Sequence, residues 1–301
     1  MAEPLVAVLL LNWRQAEATL RCLADLGACG YARTRVLLID NGSQDGSAAR
    51  FAQAAPAAET LALAENVGYC AAMNEGLAWA RRGGAELVLF LNNDVRLPAG
   101  FLPPLVDVLV HAPDVAGVMP TLLRDDGLVW SQGARVRCGP NLVELVGQGR
   151  APAPATRGPQ ETGFLPGACA LYRRSDLEAA GGIDASYFMY FEDAALGSVL
   201  RRQGKKLLWL PWVRAVHAAG LSSGGGRSPL RKLMMGVNSV RYLRAHGTVS
   251  LWAAFWLFEV LLWPLTLLSG TPPRSALAKL RGIVRGLCGG RVSAADVRGI
   301  P

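Results

Sequence analysis

At 301 residues the chain is long enough for one large domain, or for a domain carrying an appendage. It is 51% hydrophobic and 18% charged with a mean hydropathy of +0.24, which allows a substantial core and points to a membrane-facing part. The net charge of +8 sits in the tail: residues 227–301 hold 11 Lys and Arg against 2 Asp and Glu, a balance of +9, so residues 1–226 sum to −1 and a nucleic-acid-binding body is argued against. Cysteines 22, 29, 70, 138, 169 and 288 form no CxxC pair, which speaks against a zinc site or a disulfide framework and fits a reducing compartment. The first strand-like run has no basic leader or cleavage site before it, so no secretory signal is expected and the chain reads as cytoplasmic.

Residues 5–11 (LVAVLLL) read as a buried strand, and Trp13 to Leu26 has helical spacing with Leu20 and Leu23 on one face. Val36 to Ile39 reads as a second strand ending at Asp40-Asn41-Gly42-Ser43, and Ser47 to Ala55 as a helix. Thr60 to Ala64 is a short third strand, Gly68 to Arg82 an alanine-rich helix, Glu86 to Leu91 a fourth strand, and Phe101 to His111 a further helix. This alternation predicts an α/β fold, a mostly parallel sheet with helices on both faces. Residues 117–172 are less regular: Val129 to Val146 offers sheet extensions, residues 150–160 form a Pro/Ala-rich loop, and Gly163 to Tyr172 leads into a helix over Ser175 to Ala180. Gly224-Gly225-Gly226 reads as a joint, giving a domain over 1–226 and a helical tail over 227–301. Ser228 to His246 is a basic helix. Residues 249–268 then carry one charge, Glu259, close to the helical face of Trp252, Trp256 and Trp263, a face suited to lipid headgroups or to protein. Pro264 kinks or ends that helix.

Several polar clusters stand at the ends of these apolar strands. Leu89-Phe90-Leu91 turns abruptly into Asn92-Asn93-Asp94, at the strand end where α/β sheets bind ligands. This is a turn, or a site where Asp94 holds a divalent cation and the cation holds a diphosphate. Asn12-Trp13 is a polar turn or a base-binding site. Asp40 with Gly42, Asp45, Gly46 and Ser47 is turn and cap chemistry, and Asp40 is also placed to accept from a ribose or a base. Asn66-Val67-Gly68 is a helix cap or a phosphate site. No GxGxxG or GxxxxGK[ST] is present, so Rossmann-cofactor and P-loop readings lose support. Glu192-Asp193 follows the aromatic run from Tyr187 and reads as helix-terminal acids or as a general base desolvated by its neighbours. His217 is a structural histidine or a second metal ligand beside Asp94.

Taken in order, these elements resemble family 2 of the GT-A glycosyltransferases, with the closest look to rhamnosyltransferase-like members that build bacterial surface polysaccharides. The resemblance spans Val6 to Ser223. It is carried by Leu11-Asn12-Trp13, by Ile39-Asp40-Asn41-Gly42-Ser43, and by Glu65-Asn66-Val67-Gly68-Tyr69 with Asn74 and Gly76. Leu91-Asn92-Asn93-Asp94, Gly167-Ala168-Cys169 with Arg173-Arg174, Gly181-Gly182-Ile183-Asp184, Phe188 through Asp193, and Pro211 followed by His217 complete it. It implies a GT-A fold and a nucleotide-diphosphate-sugar donor, dTDP-rhamnose first and UDP-sugars next. It further implies a divalent metal, manganese or magnesium, on Asp94 and His217. By the same likeness Asn12, Trp13 and Asp40 touch the base and ribose, and Asn66, Gly68, Asn74, Asn92 and Asn93 lie near the donor. Asp193, with Glu192, is the base in an inverting transfer to a glycan or lipid-linked acceptor. One departure stands out: the family usually reads Glu-Asp-x-Asp-Leu, and here Ala195 replaces the second acid, which raises a non-catalytic nucleotide-sugar-binding or scaffold protein as the alternative. The basic, Trp-bearing tail implies peripheral attachment to the inner face of the plasma membrane, a dimer interface being its other use.

Overall fold

The computed structural model describes residues 3–156, 158–218, 228–268 and 270–297; the joint expected at Gly224 to Gly226 lies outside them. The first half alternates as expected: β1 (Val6–Asn12), α1 (Ala16–Gly27), β2 (Thr34–Asp40), α2 (Ser47–Ala54), β3 (Glu59–Ala62), α3 (Tyr69–Arg82), β4 (Leu87–Asn92), a short β5 (Val95–Arg96) and α4 (Leu102–His111). Then come β6 (Val115–Leu123), β7 (Val129–Ser131), β8 (Ala134–Val136), β9 (Val143–Leu145), β10 (Gln160–Glu161), β11 (Cys169–Arg173), α5 (Arg174–Ala179), α6 (Glu192–Arg202) and β12 (Lys206–His217). The main sheet runs β10-β12-β6-β11-β4-β1-β2-β3, with β5 paired to β12 and β7 to β6. Strands β4, β1, β2 and β3 are mutually parallel, and β11 enters antiparallel between β4 and β6. Leu9, Leu10, Leu38, Leu89 and Leu91 are fully buried within it, each such side chain contributing about 1.5–3 kcal/mol by leaving water.

Strands β6, β11 and β12 escape the sequence pattern, β11 lying where a lead into a helix was expected. β6 is buried along eight of its nine residues, so it shows no inside–outside alternation, and its Gly117 and Pro120 mimic a loop. β12 runs twelve residues through Pro211. Its register against β6 slips between Leu210 and Arg214, and this bulge turns the strand's end, as bulges beside functional sites do.

The tail folds back on the body. α7 (Pro229–His246) packs against α10 (Pro273–Leu287), and between them lie α8 (Val249–Phe255), a π-helical turn over Trp256–Leu261 and α9 (Leu265–Leu268); α11 (Ala294–Val297) ends the described chain. The backbones of α7 and α10 touch through glycines. A Cβ on Gly236 would lie 2.3 Å from the Lys279 carbonyl oxygen, and one on Gly282 2.2 Å from that of Leu233, so no larger residue fits this crossing. The helix expected to kink or end at Pro264 passes into the π-helical turn over Trp256–Leu261 and stops before that proline. Glu259 does not reach toward headgroups: it is buried, ion-paired with Lys279, and accepts from the Asn141 amide of the body. An unpaired carboxylate in so apolar a segment would be costly, and the π-turn lets it face its partners. Among the described residues no helix is long and apolar enough to cross a membrane.

Candidate active site

Register places the site. Leu11 of β1 lies opposite Asn92 of β4, and Asn12 opposite Asp40 of β2, so three polar strand ends stand in a row at the carboxyl edge of the sheet. Beyond them is a cavity of about 250 Å³. Trp13, Asn66, Asn92, Asn93, Asp94, Glu192, Asp193 and His217 all line it. Acids separated by nearly a hundred residues in sequence thus face one space.

Four residues expected to touch the donor, Asn12, Asp40, Gly68 and Asn74, are not on the lining of this cavity, and each makes contacts within the protein. Asn12 is fully buried: its Nδ2 donates to Asp40 Oδ1 (2.9 Å) and Ser43 Oγ (3.1 Å), and its Oδ1 accepts from Thr19 Oγ1 (2.9 Å) and the Gln15 amide (3.2 Å). Its hydrogen bonds are spent on knitting the strand ends together. Asp40 is held in that network, also accepting from the Ser43 hydroxyl. Asn74 clamps the 181–183 turn, donating to the Ile183 carbonyl (2.7 Å) and accepting from the Ile183 amide (3.0 Å). Gly68 has φ +87°, and a Cβ there would meet the Phe188 ring at 2.7 Å. The start of α3 is covered by the Phe188 carbonyl, which accepts from the Cys70 amide at 3.3 Å, and a bare phosphate cradle is not what Gly68 supplies. Asn66 is the hinge between the two roles: it accepts from Gly68 N (2.9 Å) and from Asn41 Nδ2 (3.0 Å) while lining the cavity.

Asp94 and His217 meet because β5 pairs antiparallel with the turned end of β12. His217 stands opposite Val95, and the Ala218 amide donates to the Asp94 carbonyl at 3.0 Å. Asp94 Oδ1 lies 3.1 Å from His217 Nε2, and both side chains are buried. Asp94 Oδ1 and His217 Nδ1 have no hydrogen-bond partner, an unusual expense for buried polar atoms. The His217 ring packs edge-on against Trp130, with centroids 4.4 Å apart. Two ligands of one octahedral cation with bonds of about 2.1 Å lie about 3 Å apart, so the pair fits a divalent ion. No group of three or more His, Cys, Asp or Glu suited to a metal occurs among the described residues. Oxygens from a bound diphosphate and water would have to complete the shell, as they commonly do for hard cations.

Glu192 and Asp193 open α6 and line the same cavity. The chain reaches them through Phe188, Tyr190 and Phe191, all at positive φ (60°, 72° and 71°), a strained path for bulky residues that needs outside support. Burial pushes both carboxyls above the usual carboxylate range, and their like charges raise Glu192 further. The two differ in support. The Ala194 amide donates to Asp193 Oδ1 at 2.8 Å and the Gly167 amide also bonds its carboxylate; backbone amides of Tyr190 and Glu192 bond the Glu192 carboxylate, but its Oε2 has no partner and the Asp193 charge bears on it. Asp193 is therefore the member of the pair that stays ionised, with Glu192 holding the proton. Ala195, where the family's second acid is missing, is buried in the core and does not line the cavity, so the facing pair is intact.

The strained turn is held from the tail, by a residue that no sequence motif singles out. Asn238 of α7 is fully buried, and its Nδ2 lies 2.8, 2.8 and 2.9 Å from the carbonyl oxygens of Tyr187, Met189 and Tyr190. Its one signal in the sequence is an amide on the apolar stripe of Met234 and Val237. Nearby, the Tyr242 hydroxyl shares a 2.8 Å hydrogen bond with Ser198 of α6. Replacing Asn238 with Leu keeps the volume but takes both amide hydrogens away from this turn, leaving the Tyr187 carbonyl only the Met189 amide, at a cost of about 1–3 kcal/mol for each group left unsatisfied. The expected result is a lower melting temperature, with kcat reduced and the donor KM little changed, because the turn carries the carboxyl pair and not the donor-side strand ends. Calorimetry and initial rates check this.

Comparison with known proteins agrees with the geometry. The family described as "Glycosyl transferase family 2" matches residues 8–181, more than half of the chain. An N-acetylglucosaminyl-diphospho-decaprenol L-rhamnosyltransferase from Mycobacterium tuberculosis is 31% identical over 227 residues, covering 68% of this chain and 73% of the relative. The O-antigen biosynthesis protein RfbC of Myxococcus xanthus is 29% identical over 152 residues, covering 46% of this chain but 11% of that protein. In solved structures, the mannosyltransferase PcManGT from Pyrobaculum calidifontis, in complex with GDP-Man and Mn2+, superposes with a TM-score of 0.59 at 18% identity over 95% of this chain and 88% of that one. GalNAc-T7 with UDP, GalNAc and Mn2+ gives 0.59 at 15% identity, over 90% of this chain and 59% of its own. Sheet order and sequence relatives thus lead to one assignment: the chain belongs to glycosyl transferase family 2 and is a rhamnosyltransferase-like glycosyltransferase on the GT-A fold.

Proposed function

We propose that this enzyme transfers a sugar, rhamnose first among the candidates, from a nucleotide-diphosphate donor to a hydroxyl of a lipid-linked glycan in cell-surface polysaccharide synthesis, with inversion at the transferred carbon. The observation that carries this is that Asp94, His217, Glu192 and Asp193 all line one cavity. The activity for which the mycobacterial relative is named supports the sugar and the acceptor class.

Inversion needs the acceptor oxygen to bond the anomeric carbon on the face away from the breaking bond to the diphosphate oxygen, which leaves with the electron pair. A divalent cation, manganese or magnesium, on Asp94 and His217 would supply charge neutralisation for the diphosphate. Asp193 takes the hydroxyl proton as the new bond forms. Its amide contacts hold the carboxylate in place, and its raised affinity for a proton brings it nearer to working pH, where a general base is most effective. Trp13 and Asn66 offer a ring and an amide to the nucleoside side of the cavity. The test is a panel of nucleotide sugars with the full chain, scored by nucleotide release with manganese and with chelator. Release from dTDP-rhamnose that needs acceptor and metal is expected, and a folded protein that consumes none of the panel overturns the reading.

We also propose that the protein sits on the inner face of the plasma membrane through its tail. Leu261 (70% exposed) and Leu268 (83%) project from the segment around the π-turn. Arg274, Leu277, Arg281 and Val284 follow one another at helical spacing on the exposed side of α10, a mix of cations and apolar groups suited to an anionic surface. Flotation with anionic vesicles is expected, and Leu261→Asp with Leu268→Asp is expected to abolish it.

A further inference from the structure

We infer that the diphosphate of a lipid-linked acceptor lies on an arginine-lined groove beside the catalytic cavity and that its hydrocarbon chain enters the crevice beyond it. This rests on the reading of a lipid-linked acceptor and assigns residues of this chain to the acceptor's parts. Three cavities share walls in series. The catalytic cavity and a groove of about 1260 Å³ have Trp130, His217, Arg231 and Met235 in common. The groove and a crevice of about 410 Å³ have Pro140, Asn141 and Lys232 in common.

The middle groove is cationic by construction. Arg135 on β8 is paired in register with Glu144 on β9, with its Nε 2.8 Å from Glu144 Oε2, and Arg137 Nε approaches the same oxygen at 3.4 Å. Arg150 adds a third positive charge near this carboxylate, which the three cations hold below the usual range. One acid cannot neutralise three guanidiniums, and the arginines of the two ion pairs remain half exposed, at 60% and 48%. Of the groove's other two acids, Asp126 is already paired with Arg124 at 2.6 Å. Arg231 continues the positive charge toward the catalytic pair, its guanidinium 5.2 Å from the Tyr190 ring centroid, two residues before Glu192. Guanidinium forks suit phosphate oxygens geometrically as well as electrostatically.

The outer crevice changes character, being walled by Phe258, Leu262, Trp263 and Leu265 of the tail. Base, cations and apolar wall therefore follow the order of hydroxyl, diphosphate and hydrocarbon in a sugar-diphospho-lipid. A free glycan would leave the second and third cavities without a use.

The test measures binding of a fluorescent short-chain isoprenyl diphosphate, and of its uncharged alcohol, to the full-length protein. The diphosphate is expected to bind more tightly than the alcohol. Arg137→Glu with Arg150→Glu is expected to cut that preference about 10-fold or more, the scale of removing one charge-assisted hydrogen bond, and to flatten its salt dependence. Nucleotide-sugar binding by the same variant, read by calorimetry, verifies folding and separates the two diphosphates. If the variant keeps the full preference, or if it loses donor binding and not isoprenyl diphosphate, the groove does not serve the acceptor and the inference fails. Failure of the transfer reading would show differently, as intact isoprenyl diphosphate binding with no consumption of any nucleotide sugar.

Discussion

Asp193→Asn is expected to lower kcat by about 10²–10⁴-fold, the range that a positioned general base contributes. The substitution is isosteric and removes a buried negative charge, so the fold is expected to survive and the donor to bind normally. The pH profile supplies a second readout. Transfer requires Asp193 ionised, and burial holds its carboxyl above the usual range, to about 6. The acid limb of kcat/KM is therefore expected well above the ordinary aspartate value of about 3.9, with activity rising as pH increases through it. Glu192 stays protonated while Asp193 titrates, so Glu192→Gln is expected to leave the acid limb near its place and most of kcat intact. An acid limb at the ordinary aspartate value in the parent, or a near-normal rate in Asp193→Asn, would remove Asp193 from this role.

Asp94→Asn is expected to be the other severe variant. It preserves shape and burial but withdraws the carboxylate that lies beside His217. Charge stabilisation by a bound cation is worth several kcal/mol, so about a 10³-fold loss is expected at about 1.4 kcal/mol per tenfold. The loss has a signature besides rate. Thermal stabilisation by manganese together with a nucleoside diphosphate is expected in the parent and absent in Asp94→Asn. Chelation is expected to reduce the parent to the variant's level, and the variant to be indifferent to it. His217→Ala is expected to weaken the manganese response less than Asp94→Asn, because it removes a neutral ligand and leaves the carboxylate.

The alternating half of the fold was legible because its strands are short apolar runs bounded by turn residues, and its helices have regular apolar spacing. The strand ends were legible for a different reason. Asn92-Asn93-Asp94 and Asp40 break an apolar run at the edge where α/β sheets open, and such a break is visible in one dimension. What each polar residue does there was not visible. Asn12 and Asn92 end neighbouring strands, yet Asn12 is sealed inside a hydrogen-bond network and Asn92 lines the cavity. That difference is made by Thr19 and Ser43 arriving from other elements. The tail reads similarly: Glu259 shares a helical face with three tryptophans in sequence, and only Lys279 and Asn141 explain why it turns inward.

Local pattern by itself determined the α/β class, the succession of strands and helices along the first half of the chain, and the acids worth testing, because hydrophobic periodicity and abrupt polarity changes are properties of neighbours in sequence. Tertiary structure alone decided which of those polar groups share a cavity, which carboxyl keeps its charge, and that α7 braces the turn behind Asp193. Those outcomes depend on burial and on partners distant in sequence. Register across β1, β4, β5 and β12, and a bulge in β12, bring them within hydrogen-bonding reach.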